Sequence, residues 1–324
     1  MKLMRPETIF KIIKSAVEPR TALKIIKTVL VYSKRRYFPC SVCGGFAFEK
    51  IFESGVFYTK KTVCVCKKCG TVCLNPRMDE RGYTDYYQNW YHRFSQRESW
   101  DRLKSMDPYT NDEVRDPNCY AVKVFNNLKD YLSKDSKIID IGCGAGELLI
   151  LLKENGLNNL TGVEPSKECC DRLRSHYDIN CIDGTLLTAT YSGEYDCVIL
   201  HAVLEHLADP RKALEKAKSV LKPDGIIYLT VPDLFGYEYE DKFSLFWFAH
   251  TFYPSRKSLK MLLNNTGFKI ECYFQGDKCE QHLIVKKIPR NQQLPLVTEN
   301  LKEYKKVIEY FLIKKRSMVY RKRS

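Results

Sequence analysis

The sequence predicts an α/β protein in which a mostly parallel sheet carries helices on both faces, preceded by a small cysteine-rich module. Three observations predict it. From residue 137 onward, short apolar runs alternate with helical patterns, the order that produces parallel strands with crossover helices. The turn Asp140-Ile141-Gly142-Cys143-Gly144-Ala145-Gly146 joins the first apolar run to the first of those helices. Two Cys-x-x-Cys pairs stand upstream, at 40–43 and 66–69.

Each element follows in chain order. Residues 1–39 read as basic amphipathic helices. Ile9, Ile12, Ile13, Ala16 and Val17 recur at helical spacing, then Leu23, Ile26, Val29 and Leu30, and Pro19 separates the two pieces. Such helices either dock on the protein's own core or lie on an anionic membrane. Residues 40–78 form the cysteine-rich module. Residues 79–118 are polar and aromatic, with Tyr83, Tyr86, Tyr87 and Tyr91, and read as a connecting arm. A helix over 119–133 opens the main domain, 119–290. KIIDI and CVIL are buried strands, LTGVEP is the strand between them, and GIIYLTVP follows the KPDG turn. GELLILLKENG is a helix closed by Gly156. ALEKAKSVLK is a helix preceded by Asp209 as N-cap and Pro210 in its first turn. SLKMLLNNTG is a further helix, and FKIECYFQ with EQHLIVKKI closes the domain as a hairpin. Residues 291–324 hold a last helix, at 298–316, and a basic tail.

Composition narrows the function classes. Of 324 residues, 44% are hydrophobic and 28% charged, which suits a globular protein and excludes a disorder-dominated one. Net charge is +14 and gathers at the ends, where residues 1–40 hold ten Lys/Arg against two Glu. Basic ends favour anionic partners, such as a membrane surface, RNA or a phosphorylated substrate, or serve only as solvated faces. Fourteen cysteines without a secretory signal point to a reducing, cytoplasmic setting and to metal rather than disulfides. No uncharged apolar stretch is long enough to span a bilayer.

The glycine turn carries the chemistry. Its spacing is Gly-x-Gly-x-Gly, not the Gly-x-Gly-x-x-Gly that cradles a dinucleotide pyrophosphate. S-adenosylmethionine (SAM) has no pyrophosphate. It joins an adenosine to a cationic sulfonium and an amino acid, and Asp140 ahead of the glycines suits that positive charge. Glu164, at the end of the second strand, is placed to accept both ribose hydroxyls.

DIGCGAG, VEP, YDCVILHAVLEHLADP and KPDGIIYLTVP together resemble the successive motifs of class I SAM-dependent methyltransferases, most closely the ubiquinone-biosynthesis-like branch with Glu-His after the fourth strand. The resemblance covers residues 120–288. It implies a Rossmann-like, mostly parallel seven-stranded sheet with a closing antiparallel hairpin. It also implies that Asp140, Gly142, Gly144, Gly146 and Glu164 hold the cofactor, and that Asp183, Thr185 and Leu186 contact its adenine.

Two Cys-x-x-Cys turns 22 residues apart, Cys40/Cys43 and Cys66/Cys69, each present two thiolates from one side. Together they predict a closed, structural Zn²⁺ site in a zinc-ribbon-like module. Cys64 and Cys73 flank the second pair as substitute ligands or buried free thiols. This module followed by a Tyr-rich arm resembles methyltransferases of sugar and polysaccharide pathways, including nucleotide-sugar C-methyltransferases.

Glu205 and His206 follow the fourth strand, where an α/β sheet opens its ligand crevice. His206 is read as general base, substrate positioner or packing residue beside the cofactor. His250, in FAHTFYPSRKSL, is read as a second base near the acceptor or as a core histidine. Related branches bind a divalent metal through an acid at the position held here by Ala202, so no catalytic metal is expected. The leading reading is an O- or C-methyltransferase acting on a sugar, glycan precursor or similar small molecule. RNA methylation and a non-catalytic binding scaffold are the alternatives.

Overall fold

The computed structural model describes residues 34–55, 60–91, 119–236, 246–274, 279–292 and 295–321. The helices read within 1–33 and the remainder of the aromatic arm (92–118) lie outside them.

Seven strands form the central sheet, in the order β10-β11-β8-β7-β4-β5-β6. β4 (Ile138–Ile141), β5 (Leu160–Glu164), β6 (Asn180–Asp183), β7 (Tyr195–His201) and β8 (Leu221–Pro232) run parallel. β10 (Phe268–Phe274) and β11 (Glu280–Lys287) close the sheet as an antiparallel hairpin. Alternation along each strand divides the apolar residues between two layers. Ile139, Val198 and Ile227 face α5 (Pro210–Val220) and α6 (Arg256–Asn265). Ile138, Ile199 and Ile226 face α2 (Tyr120–Leu128), α3 (Glu147–Glu154) and α4 (Lys167–Tyr177).

The helix ends show why these segments stop and start where they do. Asp209 accepts from the backbone N–H groups of Arg211 and Lys212, with Pro210 in the first turn of α5. Ser255 and Ser258 form a reciprocal capping box at α6.

The cysteine-rich module does not stand alone. β1 (Phe48–Ser54), β2 (Lys61–Cys66) and β3 (Val72–Leu74) make a second sheet, and its fourth strand, β9 (Phe252–Tyr253), comes from the far end of the chain. Cys40, Cys66 and Cys69 share the main core with Leu262 and Phe268. Arg211 at the start of α5 donates to the carbonyls of Ser41 and Val42 (2.9 and 2.5 Å). The last helix, α7 (Leu301–Arg321), lies against the same module: Tyr304 donates to Glu49 at 2.6 Å, and Gly70 abuts the backbone of Glu303 and Tyr304. The connecting arm is in part a folded element. Glu80–Tyr86 is a helix, α1, capped by Asp79, and Tyr87–Tyr91 continues it as a π-helix.

Candidate active site

The glycine turn and the Glu205-His206 turn meet across one cavity of about 260 Å³. The cradle side is built from β4 and the start of α3. Gly142, Gly144 and Gly146 all take positive φ (70°, 56° and 89°), which bends the chain sharply between strand and helix. Their surroundings differ. A Cβ at Gly142 would lie 2.8 Å from Val203, and one at Gly146 would lie 2.2 Å from Leu173, whereas one at Gly144 meets nothing within 4 Å. Gly144 lines the cavity, so it is the glycine that keeps the cradle open for a ligand. Its N–H donates to Glu164 Oε2 (3.1 Å), and Ser166 N–H holds Glu164 Oε1 (3.0 Å). The carboxylate that would accept ribose hydroxyls is thereby fixed to the turn itself.

Gly184, Thr185 and Leu186 line the same cavity after β6. Asp183 is not among the lining residues; its carboxylate turns away to Arg174 at 3.3 Å. Asp140 sits beneath the turn rather than in the cavity wall. Burial, with the charges of Glu147 and Glu164 adding to it, pushes its carboxyl well above the usual carboxylate range and makes it a weaker acid. A bound sulfonium and ammonium would relieve that crowding of acids. Glu147, which the sequence reading passed over, faces the cavity from the first turn of α3 and accepts from Tyr120 Oη at 3.1 Å. Its signal was present: it is the first helical residue after the glycines, where helix N–H groups and an acid together suit an amino-acid end.

The opposite wall is aromatic. Tyr83, Tyr87 and Tyr91 from α1 and its π-helical extension face the cavity, together with Tyr120, His201 and His206. Of the residues read after the fourth strand and in FAHTFYPSRKSL, His206 lines the cavity, while His250 and Glu205 do not. They stand behind it: the His206 and His250 rings lie 4.5 Å apart, and one ligand atom from each of Glu205, His206 and His250 falls within 4.8 Å of the others. Tyr87 Oη is hydrogen-bonded to His206 Nδ1 at 2.7 Å. Burial, reinforced by His250, holds His206 well below the usual imidazole range, so the ring is neutral. Burial pushes Glu205 up to about 8, and its Oε2 has no hydrogen-bond partner among the described residues.

His201 is the last residue of β7, stacked on Tyr120 with centroids 4.6 Å apart and bonded through Nδ1 to Thr230. Ala202, next along, takes φ +50° and lines the cavity. Tyr87 and His201 gave no sequence signal because each gains its role from a partner far away in the chain.

The four cysteines of the module converge. Cys40 and Cys69 sulfurs are 3.5 Å apart, as are those of Cys43 and Cys66, and all four fall within 4.8 Å of one another. A tetrahedron with Zn–S of about 2.3 Å has sulfurs roughly 3.8 Å apart, so the donor set fits zinc. Crowding drives the thiols apart in acidity: contacts with Cys40, Cys66 and Cys69 pull Cys43 far down, while those with Cys40, Cys43 and Cys66 push Cys69 far up. Cys64 and Cys73 are buried and lie outside the cluster.

A family model described as a methyltransferase domain matches residues 114–273. The ubiquinone biosynthesis O-methyltransferase of Actinobacillus pleuropneumoniae serotype 7 (strain AP76) is 28% identical over 135 residues, 36% of this chain and 57% of that protein. The ribosomal protein L11 methyltransferase of Thermosipho melanesiensis is 29% identical over 107 residues, 32% of this chain and 40% of that protein. The chain thus spans about half the length of the curated relatives it matches. Among solved structures, the 1,6-didemethyltoxoflavin-N1-methyltransferase of Burkholderia thailandensis is 13% identical with a TM-score of 0.48, covering 68% of this chain and 96% of that one. The matched segment, residues 114–273, is thus a class I SAM-dependent methyltransferase domain, with its glycine cradle at the crevice of a parallel sheet closed by a hairpin.

Proposed function

We propose that the protein transfers a methyl group from SAM to a hydroxyl or acidic carbon of a small molecule, in the class of a sugar or glycan precursor. One observation carries the reading: a single cavity has the glycine cradle on one wall and Tyr87 with neutral His206 on the other. When bound, SAM supplies an electrophilic methyl on a sulfonium that keeps the bonding pair as the methyl leaves. Asp140 and Glu147 provide negative charge toward the cofactor, and Glu164 is the ribose acceptor. Gly142, Gly144 and Gly146 shape the cradle, and Thr185 and Leu186 flank the base. The aromatic wall excludes water and aligns the acceptor with the methyl. His206 takes the proton released by the acceptor, directly or through the Tyr87 hydroxyl, as general base. Glu205 and His250 back the ring. Zn²⁺ in the four-cysteine site is structural, since four thiolates leave no open position.

The described residues of the cavity wall include Glu80, Glu147 and Glu164 and no Lys or Arg. That charge suits an uncharged acceptor better than a polyphosphate backbone, which calls for basic contacts. No helix among the described residues is long and apolar enough to cross a membrane. The basic terminal segments are assigned to peripheral contact with anionic surfaces in a cytoplasmic setting.

The test is methyl transfer from labelled SAM, offered total RNA and a small-molecule and glycan extract side by side, with Gly144→Arg as control. Label confined to the extract and absent with the variant supports the reading. Label in RNA replaces it with an RNA methyltransferase, and failure to bind SAM leaves a binding scaffold.

A further inference from the structure

Between the four-cysteine module and the cavity runs a short chain of hydrogen bonds that neither site requires on its own. Thr251 is almost fully buried. Its N–H donates to the Glu205 carbonyl at 2.6 Å, and its hydroxyl reaches the carbonyls of Glu205 (3.1 Å) and Leu207 (2.5 Å). These are the carbonyls on either side of His206. One residue therefore anchors the peptide that enters His206 and the peptide that leaves Leu207, and so holds the short turn from which the ring projects. Because Thr251 follows His250, the same bonds draw the two rings together.

The other side of Thr251 belongs to the module. Its carbonyl accepts from Leu74 N–H at 3.0 Å, and the two residues after it form β9, paired with β3 through Val72↔Tyr253 and Cys73↔Phe252. β3 pairs with β2, which ends at Cys66, and Cys66 N–H closes the knuckle onto the Thr71 carbonyl at 2.8 Å. A second bridge runs alongside. Arg77, buried, donates through Nε to the Ala208 carbonyl (2.8 Å) and through Nη1 to the Leu74 carbonyl (3.0 Å). Two independent links thus tie the end of β3 to the turn over 205–208.

We propose that the four-cysteine module acts as a clamp that orients His206 toward the cavity and seats His250 behind it, with Thr251 as its positioning residue and Arg77 as the parallel strut. The module's work is then inside the catalytic site rather than in capturing a partner. Thr251 does not line the cavity and acts through the His206 turn. The consequence for catalysis rests on the methyltransferase reading; the clamp itself does not.

The experiment needs no acceptor. The full chain is labelled with ¹⁵N-histidine, and His206→Gln and His250→Gln identify the two ring signals. Thr251→Val removes the hydroxyl at nearly constant shape, and Thr251→Ser restores it. The expected result is that both ring signals move in Thr251→Val and return in Thr251→Ser. SAM affinity stays within about twofold, and the thiolate absorption of the Co²⁺-loaded knuckle is unchanged. Ring signals at their wild-type positions in Thr251→Val would overturn the proposal. So would loss of SAM binding or of the Co²⁺ spectrum in that variant, which would make Thr251 a general structural residue. Failure of the wild-type chain to bind SAM would instead sink the methyltransferase reading, since the ring signals are read without it.

Discussion

Gly144 shows how much can hang on a missing side chain. Any residue there carries the cost of a left-handed backbone, about 1–2 kcal/mol for an L side chain, but meets no neighbouring atom. Gly144→Val is therefore expected to lower stability by about 1–2 kcal/mol in urea titration, and to abolish SAM binding by calorimetry because the new side chain occupies the cradle. Gly146→Val, whose Cβ would strike Leu173, is expected to fail in folding. If Gly144→Val bound SAM normally, the cradle assignment would be wrong. His201 supplies a pH signature at the same scale. Burial lowers its imidazole to about 4 from an ordinary 6.5, with Glu280 opposing and His282 assisting. As pH falls through 6.5 the unfolded chain takes up a proton that the folded chain refuses until about 4. Stability is therefore lost across that window, by about 2–3 kcal/mol. Unfolding free energies between pH 7 and 4 should fall more steeply in the wild type than in His201→Gln, and parallel curves would refute the assignment.

At the scale of elements, what joins the cysteine module to the sheet is a small set of side chains on named helix ends. Arg211, one residue into α5, holds the carbonyls of Ser41 and Val42, and Asn265 at the end of α6 also donates to Val42 at 2.9 Å. Arg211→Ala would leave those carbonyls short of donors, a cost of about 1–3 kcal/mol where they are buried. The expected outcome is that loss of stability in urea titration with SAM affinity unchanged. An equal loss of SAM affinity would show that α5 also shapes the cradle. Such contacts explain what was legible in the sequence. Strand and helix patterns, the glycine turn, Glu164 and the cysteine pairs are local signals, and the structure shows each as a local feature: KIIDI as β4, Gly156 beyond α3, Asp209 as an N-cap. The partnership of β9 with β3 and the bond from Tyr87 to His206 join residues 119 or more apart. No periodicity encodes such distances. The same reasoning accounts for Asp183. Its position at the end of β6 was legible, but not the Arg174 that draws its carboxylate away from the cavity.

Among the described residues, the cysteine module is packed into the core of the catalytic sheet rather than standing apart from it. Cys40, Cys66 and Cys69 lie in the same core as Leu262 and Phe268, the module's sheet takes its fourth strand from residues 252–253, and α7 rests on the module while Glu303 bonds Ser255 at the cap of α6. Zinc-ribbon units that hang from a catalytic domain by a linker melt on their own. With zinc bound by the four cysteines, its loss would leave four crowded thiols inside the shared core. Structural zinc contributes folding free energy directly, in amounts comparable to a whole domain's stability. Removing it should therefore weaken the catalytic sheet along with the module. Calorimetry of the zinc-loaded chain is expected to show one transition carrying both parts. Treatment with a strong chelator should move that entire transition down by about 10 °C or more, and added Zn²⁺ should restore it. A small transition that alone responds to the chelator, ahead of an unmoved main peak, would show that the module melts separately. It would also mean that the bonds through Arg211, Asn265 and Thr251 are too weak to make one cooperative unit.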